Sequence, residues 1–266
     1  VLRPRLDLCL PTGITLDGQS RLVVVKDRGK AAPALARELK ARGCQVLLLS
    51  PAEAAEKAAA WQSEGKVQGV YYLPALDDEP AFFSTSSQEW RELLAGRLEP
   101  LFHLMRALPE DTFLVSATRL GGLNGLEDNP AANPTGGAVG GFTKALGMER
   151  SKTFAKVVDF EAGVEAAQLA RTLVEETLAD PAVSEVGWKE ALRYAPTLLE
   201  RDFESRQAKI GEGAVFVVSG GAGGITAPIV TELGTALRGR FFLLGRSPLP
   251  AADDPDLALL RQDRAA

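Results

Sequence analysis

Glycine residues in the last quarter of the chain have the clearest chemical meaning, because Ser-Gly-Gly-Ala-Gly-Gly-Ile occupies residues 219–225. The apolar run 214–218 before them is typical of a buried strand, and residues 225–237 have helical spacing. Glycines permit a tight turn and a close approach of bare backbone, and a helix N-terminus attracts a pyrophosphate. The residues predicted to bind a dinucleotide are Ser219, Gly220, Gly221, Ala222, Gly223, Gly224 and Ile225.

Arg246 follows the next apolar run, residues 241–244, at a point that distinguishes the two nicotinamide dinucleotides. Folds that bind NAD usually carry an acidic residue there for the ribose 2′-hydroxyl, whereas an arginine suits a 2′-phosphate. We therefore expect NADPH as the cofactor, with Arg246 on its 2′-phosphate. A glycine-rich loop that only turns tightly is the alternative that this motif leaves open.

These residues need a scaffold, and the chain before them alternates strand and helix. The predicted strands are residues 21–27, 45–50, 67–73, 112–116 and 154–160, and the predicted helices are residues 31–42, 53–63, 88–108, 138–150 and 164–179. Continuous apolar strands joined by helices indicate a parallel sheet that is covered on both faces. The predicted fold class is therefore α/β, with a Rossmann-like parallel sheet.

Several segments depart from this alternation. Residues 6–10 predict an edge strand, and residues 185–199 predict a hairpin of two extended pieces around a polar turn. Pro100 is expected to kink or split the helix that contains it. The polar stretch 201–213 predicts a domain boundary, after which the pattern restarts as the first β-α-β of a second Rossmann unit. The predicted domains are residues 1–210 and residues 211–266.

The glycine loop and the Leu-Leu-Gly-Arg-Ser that contains Arg246 resemble the TGxxxGxG loop and following basic position of short-chain dehydrogenase/reductases. Within that superfamily the chain looks most like the ketoreductase domains of type I polyketide synthases and polyunsaturated fatty acid synthases. In those domains a truncated, Rossmann-like structural subdomain without catalytic function precedes the catalytic subdomain. The resemblance implies that residues 1–210 are the structural subdomain and that residues 211–266 begin the NADPH-binding catalytic one. Ser219 and Thr226 depart from the family's usual Thr and Gly.

By the same resemblance, reduction requires a tyrosine that gives a proton to the carbonyl oxygen, a lysine four residues later and a serine. The residues four places after Tyr71, Tyr72 and Tyr194 are Ala75, Leu76 and Leu198. If residues 137–144 match the family helix that follows the pair, the tyrosine and lysine positions fall on Ala132 and Gly136. We therefore expect no catalytic residue in this chain. We also expect its first half not to bind NADPH, since the turn 26–32 places charges where a pyrophosphate would lie.

The resemblance implies that the parent protein is an NADPH-dependent β-ketoacyl reductase of a multidomain synthase, which reduces a 3-ketoacyl thioester to the 3-hydroxyacyl product. Its expected partners are the remainder of the catalytic subdomain, the other synthase domains and an acyl carrier protein that presents the substrate on phosphopantetheine. Since the catalytic residues would lie beyond Ala266, we expect the chain to be inactive alone. Two alternatives stay open: a non-catalytic scaffold that stabilises the catalytic subdomain or mediates inter-domain contacts, and an independent regulatory dinucleotide-binding module.

Composition argues against several other classes of protein. Thirty Lys and Arg against 35 Asp and Glu give a net charge of −5, and no basic run offers a footprint for nucleic acid. No apolar stretch approaches the roughly 18–20 residues that span a bilayer, and the charged N-terminus is unlike a signal peptide, so we expect a cytoplasmic protein without membrane contact. With two cysteines and one histidine, neither a disulfide framework nor a metal site is expected.

The remaining polar residues have simpler interpretations. His103 is expected to be structural. Ser116 is expected to be either a remnant of the family's substrate serine without its function or a residue that makes a loop hydrogen bond. Lys144 is expected on the exposed face of an amphipathic helix. The acidic residues 77–79 could suggest a divalent cation, but an acidic loop before a proline is expected to be solvated. The side chains expected only to pack are Tyr71, Tyr72 and Trp90.

Overall fold

The computed structural model describes residues 1–126, 134–200, 210 and 213–246. The chain divides into two compact units, Val1–Leu199 and Glu200–Ala266, which are termed unit 1 and unit 2. The boundary expected between residues 210 and 211 falls within residues 201–212, of which residue 210 alone is described. Each unit has its own β-sheet.

Unit 1 is built on seven strands that form one sheet. They are β1 Arg21–Val25, β2 Gln45–Leu49, β3 Gly69–Tyr72, β4 Phe113–Thr118, β5 Ala155–Phe160, β6 Glu185–Lys189 and β7 Leu192–Tyr194. The strand order is β2-β1-β3-β4-β5-β6-β7, and every pair is parallel except the last, in which β6 and β7 form an antiparallel hairpin. The α/β class, the Rossmann-like parallel sheet and the hairpin predicted from the sequence are therefore confirmed.

Helices cover both faces of this sheet. In the described part of unit 1 they are α1 Ala31–Ala41, α2 Ala54–Glu64, α3 Ser87–Arg106, α4 Gly136–Glu149 and α5 Ala166–Leu178. Leu22 and Val24 of β1 belong to the core with α1 and α5, whereas Val23 and Val25 belong to the core with α2, α3 and α4. Successive strand residues face opposite sides, so a strand that is apolar throughout is buried on both faces. No helix within the described ranges is long and apolar enough to cross a membrane.

Helix α3 is continuous although Pro100 lies inside it, so this proline does not split the helix. A capping box defines its start: Ser86 Oγ accepts a hydrogen bond from Glu89 N–H (3.2 Å), and Glu89 Oε2 accepts one from Ser86 N–H (2.8 Å). Beyond the proline, Leu101 and Leu104 are fully buried against the sheet. This packing offsets the backbone hydrogen bond that a proline cannot donate.

Residues 6–10 do not form the predicted edge strand, because Leu6–Leu8 is a short 3-10 helix. The N–H groups of Leu8 and Cys9 close this turn on carbonyls three residues back, at 3.0 and 3.1 Å. They are therefore not available to a neighbouring strand. The segment touches the sheet edge on either side of the turn, through the single backbone bridges Leu2–Tyr194 and Pro11–Ala179.

Unit 2 has the predicted strand, helix and strand among its described residues. They are β8 Val215–Ser219, α6 Thr226–Leu237 and β9 Arg240–Leu244. β8 and β9 are parallel neighbours, with Ser219 opposite Leu244 at their carboxyl ends. The turn that follows β8 and the residues that follow β9 therefore leave the sheet at the same edge.

Candidate functional site

The turn between β8 and α6 requires glycine because of its backbone angles and its packing. Gly220 and Gly224 have φ of +65° and +47°, in the left-handed region that a Cβ disfavours. Gly221 must be glycine because of its packing, since a Cβ there would lie 2.6 Å from Leu243 Cδ2. These glycines let the chain turn tightly from strand into helix while its backbone lies against β9.

Backbone hydrogen bonds hold the turn in place. Gly220 N–H donates to Leu244 O (2.6 Å), and Gly223 N–H donates to Gly220 O (3.1 Å). The backbone N–H groups of the turn that bond to no described residue are those of Gly221, Ala222, Gly224 and Ile225. They precede the N-terminus of α6, where the helix dipole adds to their attraction for an anion.

The outer side of the turn has room for a ligand. A Cβ built on Gly220 or Gly224 would meet no atom within 4 Å. The remaining predicted residues lie at the surface around it: Ser219 ends β8, and Ala222, Gly223 and Ile225 are exposed. Open glycine backbone, free N–H groups and a helix N-terminus fit the pyrophosphate of a dinucleotide.

Arg246 lies two residues beyond the end of β9 and is exposed. Because β8 and β9 are parallel and in register, Arg246 and the glycine turn are at the same edge of this sheet. In a dinucleotide-binding fold the adenosine ribose lies beside the end of the second strand. A guanidinium group there can pair with a second phosphate through charge-assisted hydrogen bonds.

The structure describes one of the two positions that would carry the catalytic pair. Ala132 falls outside the described residues, and Gly136 is the buried first residue of α4. Ser116 is fully buried in β4, with its Oγ 2.8 Å from Thr143 Oγ1 of α4. Of the two expectations for Ser116, the loop hydrogen bond is therefore not the one observed, since its hydroxyl joins a strand to a helix.

The acidic residues 77–79 are not uniformly solvated, contrary to expectation. Asp77 accepts a hydrogen bond from Arg28 N–H (2.6 Å), and Glu79 forms a buried ion pair with Arg97. Burial raises the pKa of both carboxyl groups, against the opposing effect of these donors. Asp78 alone of the three is fully solvated, with 96% of its side chain exposed. The described residues contain no group of three His, Cys, Asp or Glu side chains that could hold a metal ion.

Lys144 is not a free surface lysine. Its Nζ lies 2.5 Å from Glu185 Oε2, and both side chains are partly buried, so the pair connects α4 to β6. His103 is exposed near the end of α3, with its ring against Phe102 at 5.3 Å between centroids.

Tyr71 and Tyr72 pack in the interior, as predicted. Both are fully buried at the end of β3, and burial raises the pKa of both phenols far above the ordinary value. Tyr71 Oη is 2.9 Å from Thr177 Oγ1, and Tyr72 Oη donates to Arg97 O (2.6 Å). Trp90 is half-buried, with its ring edge-on to Phe82. The buried hydroxyl groups of Tyr71 and Tyr72 therefore have their hydrogen-bond partners within unit 1.

Two charged residues of β5 that the sequence did not single out, Lys156 and Asp159, are fully buried. Lys156 pairs with Glu176 of α5, and Asp159 holds the loop after β4. The signal that could have revealed them is the presence of charged residues inside an otherwise apolar predicted strand. Such residues are almost never fully buried unless they are paired.

Sequence comparison gives one informative relative, while no family model matches the chain. Over 134 residues the chain is 31% identical to a subunit of the polyunsaturated fatty acid synthase of Thraustochytrium sp. (strain ATCC 26185 / S-3). The match includes 48% of this chain and 5% of that protein. The chain therefore corresponds to about one twentieth of the curated relative that it matches.

Structure comparison identifies the fold. The solved "Adenylation, ketoreductase, and pseudo Asub multidomain structure of a keto acid-selecting NRPS module" aligns with a TM-score of 0.66 and 16% identity, over 100% of this chain and 24% of that one. A short-chain dehydrogenase/reductase from Brucella melitensis aligns with a TM-score of 0.50 and 17% identity, over 61% of this chain and 90% of that one. The fold is that of the short-chain dehydrogenase/reductases. More particularly, the structure that aligns over the whole of this chain is one that contains a ketoreductase.

Proposed function

We propose that this chain is part of an NADPH-dependent β-ketoacyl reductase within a multidomain polyketide or fatty acid synthase. In this proposal residues 1–210 form a non-catalytic structural subdomain, and residues 211–266 begin the catalytic, NADPH-binding subdomain. The observation that carries the proposal is the open glycine turn after β8 with Arg246 at the same sheet edge. The likeness to part of a fatty acid synthase and to a structure that contains a ketoreductase supports the multidomain setting.

Each site residue has a defined part in holding the cofactor. The N–H groups of Gly221, Ala222 and Gly224 would bind the pyrophosphate, and Arg246 would bind the 2′-phosphate. Ser219, Gly220, Gly223 and Ile225 would shape the turn around it. When bound, NADPH supplies the hydride for reduction of the 3-ketone, while the protein supplies position and electrostatics.

The proton donor must come from outside the tyrosines of this chain, since none of the three has a lysine four residues later. In this proposal the remainder of the catalytic subdomain supplies the proton donor. An acyl carrier protein delivers the substrate on its phosphopantetheine arm. Unit 2 has apolar strand surface for such neighbours: Val215, Val217 and Phe242 are 61%, 67% and 58% exposed.

We assign the parent synthase to the cytoplasm.

Substitution of Arg246 in a longer chain that includes the whole second Rossmann unit tests the cofactor assignment. We expect Arg246→Asp to lower the preference for NADPH over NADH, as the ratio of kcat/KM values, by about 10- to 100-fold, because a charged hydrogen bond is replaced by repulsion. Arg240→Asp is the matched control, since Arg240 is exposed at the opposite end of the same strand. An unchanged preference in the Arg246 variant would refute the 2′-phosphate assignment.

The second candidate is a scaffold role for unit 1 without cofactor chemistry. It is favoured by the complete two-sided core of unit 1 and by the buried hydroxyls of Tyr71 and Tyr72. Titration of the 266-residue chain with NADPH, followed by cofactor fluorescence, separates the candidates. Saturable binding supports a formed cofactor site in unit 2. No binding here, with binding and reduction of a model β-ketoacyl thioester by the longer chain, supports the scaffold role.

A further inference from the structure

The first βα turn of unit 1 uses its own carboxylate where a dinucleotide-binding turn would leave donors free. Asp27 Oδ1 accepts a hydrogen bond from Ala32 N–H (2.9 Å), and Asp27 Oδ2 accepts one from Ala31 N–H (3.2 Å). Both N–H groups belong to the first turn of α1. A carboxylate at this place satisfies the helix N-terminus as a bound anion would.

A second carboxylate occupies the next donor of the same turn. Asp77, which follows β3, accepts a hydrogen bond from Arg28 N–H (2.6 Å). A side chain at residue 29 would collide with the carboxylate of Asp27, because a Cβ on Gly29 would lie 2.7 Å from Asp27 Oδ2. The absence of a side chain at residue 29 therefore admits the carboxylate of Asp27, whereas the glycines of the unit 2 turn leave their outer side open.

The turn borders a cleft that is lined by side chains of both charges. The cleft has a volume of about 540 Å³ and is lined in part by Arg28, Lys30 and Arg119. The cleft is also lined by acidic side chains, those of Asp27, Asp77, Asp78 and Glu165. The cationic side chains of the cleft are thus combined with backbone donors that are already bonded to the protein's own carboxylates.

We infer that the carboxylate of Asp27, supported by Asp77, takes the place of a bound phosphate group and so prevents phosphate-bearing ligands from binding in the cleft of unit 1. Two structural features carry this inference: the two oxygens of Asp27 on two successive N–H groups, and the glycine that makes room for them. A dinucleotide approaching α1 would have to displace a tethered carboxylate and would meet its negative charge. The inference concerns unit 1 alone and stands whether or not unit 2 binds NADPH.

Removal of the carboxylate should convert the closed turn into an anion site. In ¹H–¹⁵N spectra of the full chain titrated with inorganic pyrophosphate, we expect the Ala31 and Ala32 amides to shift saturably in Asp27→Ala. The apparent Kd for pyrophosphate that is fitted from these two amide shifts should be at least about tenfold lower than in the unsubstituted chain. These two amides report on unit 1 even if the glycine turn of unit 2 also binds the probe. Asp27→Ser is the second variant, because serine can still cap a helix if alanine prevents folding.

Asp78→Ala is the matched control for charge. Asp78 lines the same cleft and its side chain is 96% exposed, but it accepts no hydrogen bond from α1. This variant should behave as the unsubstituted chain. The inference is overturned if a folded Asp27 variant shows no saturable shift at Ala31 and Ala32, or if Asp78→Ala shows the same shift.

Discussion

Asp159 illustrates how one buried carboxylate organises a loop. Its Oδ1 accepts hydrogen bonds from Thr118 Oγ1 (2.7 Å) and Leu120 N–H (2.6 Å), and its Oδ2 accepts them from the N–H groups of Gly122 (2.7 Å) and Asn124 (2.8 Å). Burial raises the pKa of Asp159, although all four donors favour the ionised form. The loop after β4 is therefore held by a single side chain from β5.

Substitution of this residue by its isosteric amide should be costly. In Asp159→Asn one oxygen is replaced by an NH₂ group that faces backbone donors, so buried N–H groups lose their acceptor. We expect the free energy of unfolding to fall by about 2–4 kcal/mol in urea denaturation. Asp78→Asn makes the same chemical change at an exposed site and should cost less than about 0.5 kcal/mol. Equal losses in the two variants would contradict this role for Asp159.

At the scale of elements, a buried network of charges joins α5 to the hairpin β6–β7. Glu176 of α5 accepts hydrogen bonds from Arg193 Nε (2.6 Å), Trp188 Nε1 (2.8 Å) and Lys156 Nζ (3.2 Å). Arg193 also pairs with Asp180 at 2.7 Å. Burial lowers the pKa of Lys156, and the adjacent Glu176 opposes that change. The network therefore fixes the hairpin against the helix through charges that compensate one another.

Removal of the central negative charge should disconnect these elements. Glu176→Gln leaves Lys156 and Arg193 buried without their common counter-charge, and breaking a buried pair from one side costs about 3–5 kcal/mol of unfolding free energy. Chemical denaturation measures the loss. Glu175→Gln, one residue earlier on the exposed side of α5, is the control and should change stability by less than about 0.5 kcal/mol. A loss no larger than that of the control would exclude a stabilising role for the network.

At the scale of the whole molecule, the two units differ in how much of their apolar surface is buried. Unit 1 has a core on each face of its sheet. In unit 2, by contrast, α6 has no buried residue, and the strands β8 and β9 have none in their described lengths. Because packing supplies most of the stability of strands and helices, the two units should open with different free energies.

Hydrogen–deuterium exchange of the 266-residue chain should reveal this difference. We expect the amides of β1, β3 and β4 to be protected for much longer than those of β8, α6 and β9, because exchange follows the free energy of local opening. Mass spectrometry of peptic peptides gives the measurement. Equal protection of both units in the 266-residue chain would contradict the expectation.

The sequence by itself determined the alternation of strands and helices, the hairpin, the restart after residue 213 and the position of the glycine turn. These features depend on local periodicity and on residue types with special backbone freedom, such as the glycines at residues 220 and 224. Periodicity shows which residues face a core, and it therefore predicts a parallel sheet even where the exact ends of elements shift by a few residues. Arg246 could be predicted as a candidate site residue for the same reason, since it lies just after the end of a predicted strand.

Only the tertiary structure decided which polar residues are paired inside. Asp77, Lys144 and Asp159 look like ordinary charged positions in a linear sequence, yet each has a specific partner in the fold. The partners of Asp77, Lys144 and Asp159 lie about 35 to 49 residues away in the chain. A local pattern carries no information about contacts across such separations, because they arise when parallel strands bring distant loops to one edge of the sheet.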